Sequence, residues 1–132
     1  MHPCVYDSKL TEKTLDLSQV APATYDAATA VGDVLIKGIA LYCSVAGGGD
    51  LTSVSIQTNS TTPLILLTAA EGAVANLLAQ SHPNAACNLF IGPWTLRSGQ
   101  KIQYSLIAAG AAHTGTLKLV INYRPISVGA SL

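Results

Sequence analysis

The sequence is short of charge. Only 11% of its 132 residues are Asp, Glu, Lys or Arg, less than half of the roughly 25% usual in a globular domain. That shortage excludes a disordered acidic or basic chain, a coiled coil, and nucleic-acid binding through bulk charge. Long apolar runs are missing too. The longest, the thirteen residues Val34 to Ala46, is broken by Lys37 and Gly38 and falls short of the roughly 20 that a membrane-spanning helix needs. The start, Met1-His2-Pro3-Cys4, has no basic stretch followed by an apolar one. The expectation is therefore no signal peptide, no membrane partner and synthesis in a cytoplasm.

Cysteine is scarce and widely spaced. Cys4, Cys43 and Cys87 are odd in number and form no C-x-x-C, which argues against a disulfide framework. Cys43 reads as a small buried residue within a strand. Asn59-Ser60-Thr61 fits a glycosylation pattern but, without a secretory route, reads as a polar turn.

What is present is apolar and neutral. Hydrophobic residues make up 49% of the chain, and seven bases balance seven acids. A small neutral domain of this composition tends to self-associate, which suits a subunit of an assembly. The length suits one domain.

Charge divides the chain. Lys9 and Lys13 face Asp7, Glu12, Asp16, Asp26 and Asp33 in residues 1–33, a net of −3, and residues 34–132 carry +3. Residues 1–32 read as a polar N-terminal arm, and residues 33–132 as the body. An acidic arm can dock on a neighbouring copy or lie as an edge segment of its own domain, and both readings stand.

The body reads as strand. Val54 and Ile56 alternate with Ser53, Ser55 and Gln57. Ile102, Tyr104 and Leu106 alternate with Lys101, Gln103 and Ser105. Leu117, Leu119, Ile121 and Tyr123 form a third apolar row. Such period-2 patterning signals an antiparallel sheet covered on one face. Val34 to Ala46 is apolar on both faces, as a central strand is, with a bulge expected at Gly38. Pro63 to Leu67 and Leu89 to Ile91 read as short strands.

Gly47-Gly48-Gly49-Asp50, Ser98-Gly99 and His113-Thr114-Gly115 read as turns between strands. The turn spacing points to an all-β, antiparallel sandwich of jelly-roll type. One segment differs: Ala70, Ala73, Val74, Leu77 and Leu78 recur at helical spacing, and Thr68 with Glu71 fits a capping box. A short helix or helical turn is expected there, against the rival of an irregular loop.

Little in the sequence carries catalytic chemistry. No nucleophile elbow, zincin, Walker or dinucleotide motif occurs. The triple glycine precedes a strand, so it lacks the helix N-terminus of a phosphate cradle. His82 and Cys87 are too few for a zinc site. A nucleophilic pair of Cys87 with His82 or His113 lacks an orienting acid in sequence. His113 reads as a solvated turn residue. Asp50 and Glu71 are the only acids in residues 34–132, few for glycoside chemistry. Tyr104 and Tyr123 read as core, and Trp94 as a cap where a loop crosses the core, with an exposed platform as its rival. No catalytic, cofactor or metal residue is assigned, and the chain is expected not to be an enzyme.

Gly92-Pro93-Trp94-Thr95-Leu96-Arg97-Ser98-Gly99-Gln100-Lys101-Ile102-Gln103-Tyr104, a small-residue stretch Ala108 to Gly115, and then Gly115-Thr116-Leu117-Lys118 running to Tyr123-Arg124-Pro125-Ile126 form one cadence. Over roughly residues 33–127 this resembles the small β-sandwich proteins of tailed bacteriophages encoded near the major capsid protein, some of which are capsid decoration, or cement, proteins. The resemblance implies a virion structural protein on the capsid surface, made in the host cytoplasm. Its implied partners are the major capsid protein and further copies of itself, as a homotrimer. A tail, head–tail connector or head-fibre protein is the second reading. A carbohydrate-binding module using Trp94 and a neighbouring Tyr is the third.

Overall fold

The computed structural model describes residues 8–20, 23–80 and 94–132. Six strands run in chain order: β1 Lys9–Asp16, β2 Thr24–Thr29, β3 Val34–Thr58, β4 Ile65–Leu67, β5 Trp94–Leu96 and β6 Lys101–Pro125. All pair antiparallel in one open sheet of order β1-β6-β3-β4, with β2 also on β6 and β5 also on β3.

The frame is β3 against β6. Each is 25 residues long, and they pair from Val34↔Pro125 to Thr58↔Ile102. Their register shifts repeatedly between Cys43 and Ser53, opposite residues 107–117. Bulges bend a ribbon and increase its twist, so this ribbon bends midway. The first half of β3 with the second half of β6 takes β1 and β5 alongside. The other half takes β2 and β4.

Two expected turns are corrected here. Gly47-Gly48-Gly49 and His113-Thr114 are not hairpin tips but lie opposite one another in the ladder, Gly48 on Thr114 and Gly49 on His113. Small residues on both strands permit a joint bend without a reversal of either. Gly49, at φ +66°, shows why glycine is needed: a Cβ there would lie 2.0 Å from the Ala112 carbonyl oxygen. Ser98-Gly99 is a turn as expected, with Gln100 N–H donating to the Arg97 carbonyl.

The alternating rows face inward as the pattern predicts. Val54, Ile56, Ile102, Tyr104, Leu106, Leu117, Leu119, Ile121 and Tyr123 are all buried in one core. In β3 the register shift between Ile36 and Gly38 leaves Lys37 unmatched. The inward phase passes there from Val34 and Ile36 to Ile39, Leu41 and Cys43. One extra residue flips the side of every later one, which is why the run looks apolar on both faces.

Residues 1–32 are not a separate arm over their described part. β1 and β2 are strands of the same sheet, and Leu15, Leu17, Ala28 and Ala30 belong to the core. Strand β6 supplies their partners from the far end of the chain, so polar composition alone hid them.

The expected short helix or helical turn is a single 3₁₀ turn, Val74–Asn76, within an otherwise irregular loop. The capping box itself forms: Thr68 N–H donates to Glu71 Oε1 at 2.9 Å, and Glu71 N–H to Thr68 Oγ1 at 3.2 Å. The chain then leaves the helical path, with Ala73 extended at ψ 146°. Strand β3 claims this backbone, since Val54 N–H donates to the Gly72 carbonyl and Ser53 bridges to Ala73. Val74 and Leu77 still pack on the core. The expected strand Leu89 to Ile91 lies outside the described residues.

Candidate functional site

The bend gives the molecule two poles. At the bend pole the ribbon turns over, and the excursion Ala109–Ala112 of β6 stands opposite Asp50 alone. At the open pole the two halves are joined by short connections. Ser98 N–H donates to Asp33 Oδ1, Gly32 N–H to Ser98 Oγ, and Ile126 N–H to the Asp33 carbonyl.

Most candidate chemical groups serve this frame. Asp50 Oδ2 accepts from Ala112 N–H at 3.1 Å and braces the excursion. Glu71 is used by the capping box. His113 is not a solvated turn residue: it is buried at the bend, with Nδ1 2.5 Å from the Leu17 carbonyl oxygen. The paired bulges turn its side chain inward. Asn59 stands in a polar turn, its Oδ1 accepting from Lys101 N–H.

Cys43 is buried as its strand position predicts, and burial pushes its thiol pKa up. Burial likewise raises the Tyr104 phenol. The Ser18 hydroxyl and amide hold Asp16 below the usual carboxylate range. The Gln103 amide, then the Lys101 ammonium, do the same for Asp26. Among the described residues no cluster of three His, Cys, Asp or Glu is placed to hold a metal ion. His2, Cys4, His82, Cys87 and Phe90 lie outside the described residues.

Trp94 pairs with Ile36 on β3 and shares its inward face. The ring is half-buried against the core, a cap at the open pole. A shallow groove beside it is lined by Leu64, Leu96, Arg97 and Thr58. Tyr104 and Tyr123 are core, as expected, and Tyr104 stacks at 5.4 Å on Tyr25. A flat aromatic platform of Trp94 with a neighbouring Tyr is therefore not what this face presents.

The exposed apolar side chains are the surface's distinctive feature. Ten large ones are exposed among the described residues. Val31, Ile126 and Val128 stand at the open pole, Val128 fully exposed. Val45 and Ile107 stand at the bend pole. Sequence reading passed over these residues. The available signal was an apolar pair within a turn, Ile126-Ser127-Val128, which covers no core of its own.

The described residues form an all-β protein on one folded, open antiparallel sheet, with exposed apolar side chains at its ends. No family model, curated protein or solved structure matches the chain. Among the described residues no helix is long and apolar enough to cross a membrane.

Proposed function

We propose that the chain is a non-enzymatic virion structural protein, a capsid decoration protein that binds where capsid subunits meet and stiffens the shell. The observation that carries the reading is the open pole. The turn 126–130 is held rigidly on residues 31–33 by paired backbone hydrogen bonds, Val31 with Ser131 in both directions, and Asp33 N–H to Ser127 Oγ. It thereby presents Val31, Ile126 and Val128 to solvent. Rigid apolar groups on a neutral body suit contact with a protein surface, since little ordering entropy is lost on docking. Many copies on one shell would add avidity.

A layered, sandwich-like body belongs to the same reading. Its support is the single core shared by Leu41 and Leu117 from one half and Ile56 and Ile102 from the other. A tail, connector or head-fibre position is the second reading, favoured by the excess of base at the open-pole half, where Lys9, Lys37, Arg97, Lys101 and Arg124 outnumber Asp26 and Asp33.

The test is to mix the purified chain with expanded, undecorated phage heads and sediment them. The proposal expects saturable co-sedimentation and a higher head-rupture temperature, both lost in Val128→Glu. Heads that bind no chain at saturating concentration would overturn it.

A further inference from the structure

Folding rearranges the charge that the linear sequence divides between its first third and the rest. Pairing places Lys9, Lys37, Arg97, Lys101 and Arg124 in the half of the molecule at the open pole, offset by Asp26 and Asp33. Their formal net is +3. The bend half holds Glu12, Asp16, Asp50 and Glu71 against Lys13 and Lys118, a net of −2 among the described residues. Each half thus joins exposed apolar groups to a net charge of one sign.

The two surfaces fit each other. At the open pole, Arg97 is 74% exposed and meets Asp33 only at 3.9 Å, so its guanidinium retains donors for another carboxylate. At the bend pole, Asp50 stands beside the apolar excursion of β6. Like poles would set equal charges face to face, which opposes an isologous contact. Unlike poles pair opposite charge around apolar centres, which is a heterologous, head-to-tail contact.

We infer that the bend pole of one copy docks on the open pole of a second copy of this chain, so that copies stack head to tail. The β1 edge is not the contact. The outer strand β1 carries Lys9, Glu12, Lys13 and Asp16, and charge on an edge strand blocks edge-to-edge pairing. The second copy would cover the open-pole residues that the proposed capsid contact also uses, so the two contacts compete for Val31, Ile126 and Val128.

The experiment is sedimentation velocity on the full chain and two charge-repelling variants at exposed positions. Val128→Glu sets an acid at the open pole, and Ile107→Lys sets a base at the bend pole. Far-UV circular dichroism and thermal melts confirm that each variant folds, and Arg97→Glu replaces Val128→Glu if it does not. The wild-type mass is expected to rise with concentration without stopping at three copies, and to fall as salt screens the poles. Each variant alone is expected to stay monomeric. Their mixture keeps one good pole of each kind and is expected to form a 1:1 complex that grows no further. A wild type that stays monomeric at all concentrations overturns the inference. So does a fixed trimer unchanged in both variants, or a variant that dimerises by itself. None of these three results bears on binding to phage heads, which the co-sedimentation assay reads separately.

Discussion

His113 Nδ1 lies 2.5 Å from the backbone carbonyl oxygen of Leu17, two residues 96 positions apart in the chain. The contact ties the β1–β2 connection to the bend of β6. Leu17 N–H donates to the Gly115 carbonyl beside it. Tyr104 completes the clamp, accepting from Gln19 Nε2 at 2.8 Å and donating to the Asp16 carbonyl. His113→Ala removes a buried ring and leaves the Leu17 carbonyl without its side-chain partner. A loss of about 2–4 kcal/mol is expected, read as a lower urea midpoint with an unchanged slope.

Leu17 tests whether the first third is part of the fold. Its side chain is fully buried. Leu17→Ala is expected to cost about 2–5 kcal/mol, and deletion of residues 1–30 to abolish the cooperative thermal transition. A detachable arm would leave both melts unchanged.

Gly49 and Gly48 are adjacent and should answer differently. A Cβ at Gly49 would collide with the Ala112 carbonyl, and its φ is +66°, whereas at Gly48 the nearest atom is Thr114 Oγ1 at 3.4 Å. Gly49→Ala is expected to destabilise by about 2 kcal/mol or more, and Gly48→Ala by less than about 1 kcal/mol. Chemical denaturation of both variants measures the difference.

Asp26 sets part of the acid response. Its folded pKa lies below the ordinary 3.8 because of Gln103 and then Lys101. A depressed carboxylate pKa stabilises the fold above the unfolded value, and this contribution is lost as pH falls through the folded pKa. Stability should therefore drop on acidification below about pH 4. Asp26→Asn should reduce that drop while leaving the slope near neutral pH unchanged. The side chain is half exposed, so the expected effect is small. Denaturation midpoints across pH give the comparison.

Cys43 is expected to resist thiol reagents in the folded chain, because its sulfur is buried and its pKa raised by burial. In a Cys4→Ser/Cys87→Ser background, reaction with a chromogenic disulfide should be slow in buffer and complete in denaturant. Rapid reaction in buffer would mean that the β3 bend opens readily.

Much of the core was legible because burial in a strand follows period-2 alternation, a property of neighbouring residues. That pattern identifies the inward rows of β3 and β6, and Gly38 marks the change of phase in β3. The Thr68–Glu71 capping box was equally legible, since its two hydrogen bonds span three residues.

The remaining features depend on distant partners. Glycine clusters look alike at a hairpin tip and at a bend. Only the pairing of Gly49 with His113 shows which one forms. Residues 70–78 have helical spacing, yet Val54 takes the Gly72 carbonyl and stops the helix. Polar β1 becomes a strand because β6 offers it a ladder, and Leu15 and Leu17 then reach the core. The exposed apolar ends were the least legible. Val31, Arg97 and Val128 are far apart in sequence and come to one end only when Val34 of β3 pairs with Leu96 and Pro125. The sequence by itself determined which side chains face inward, through local alternation. Tertiary structure alone decided where the chain bends, what pairs across it and which charges share a pole, because those outcomes depend on long-range register.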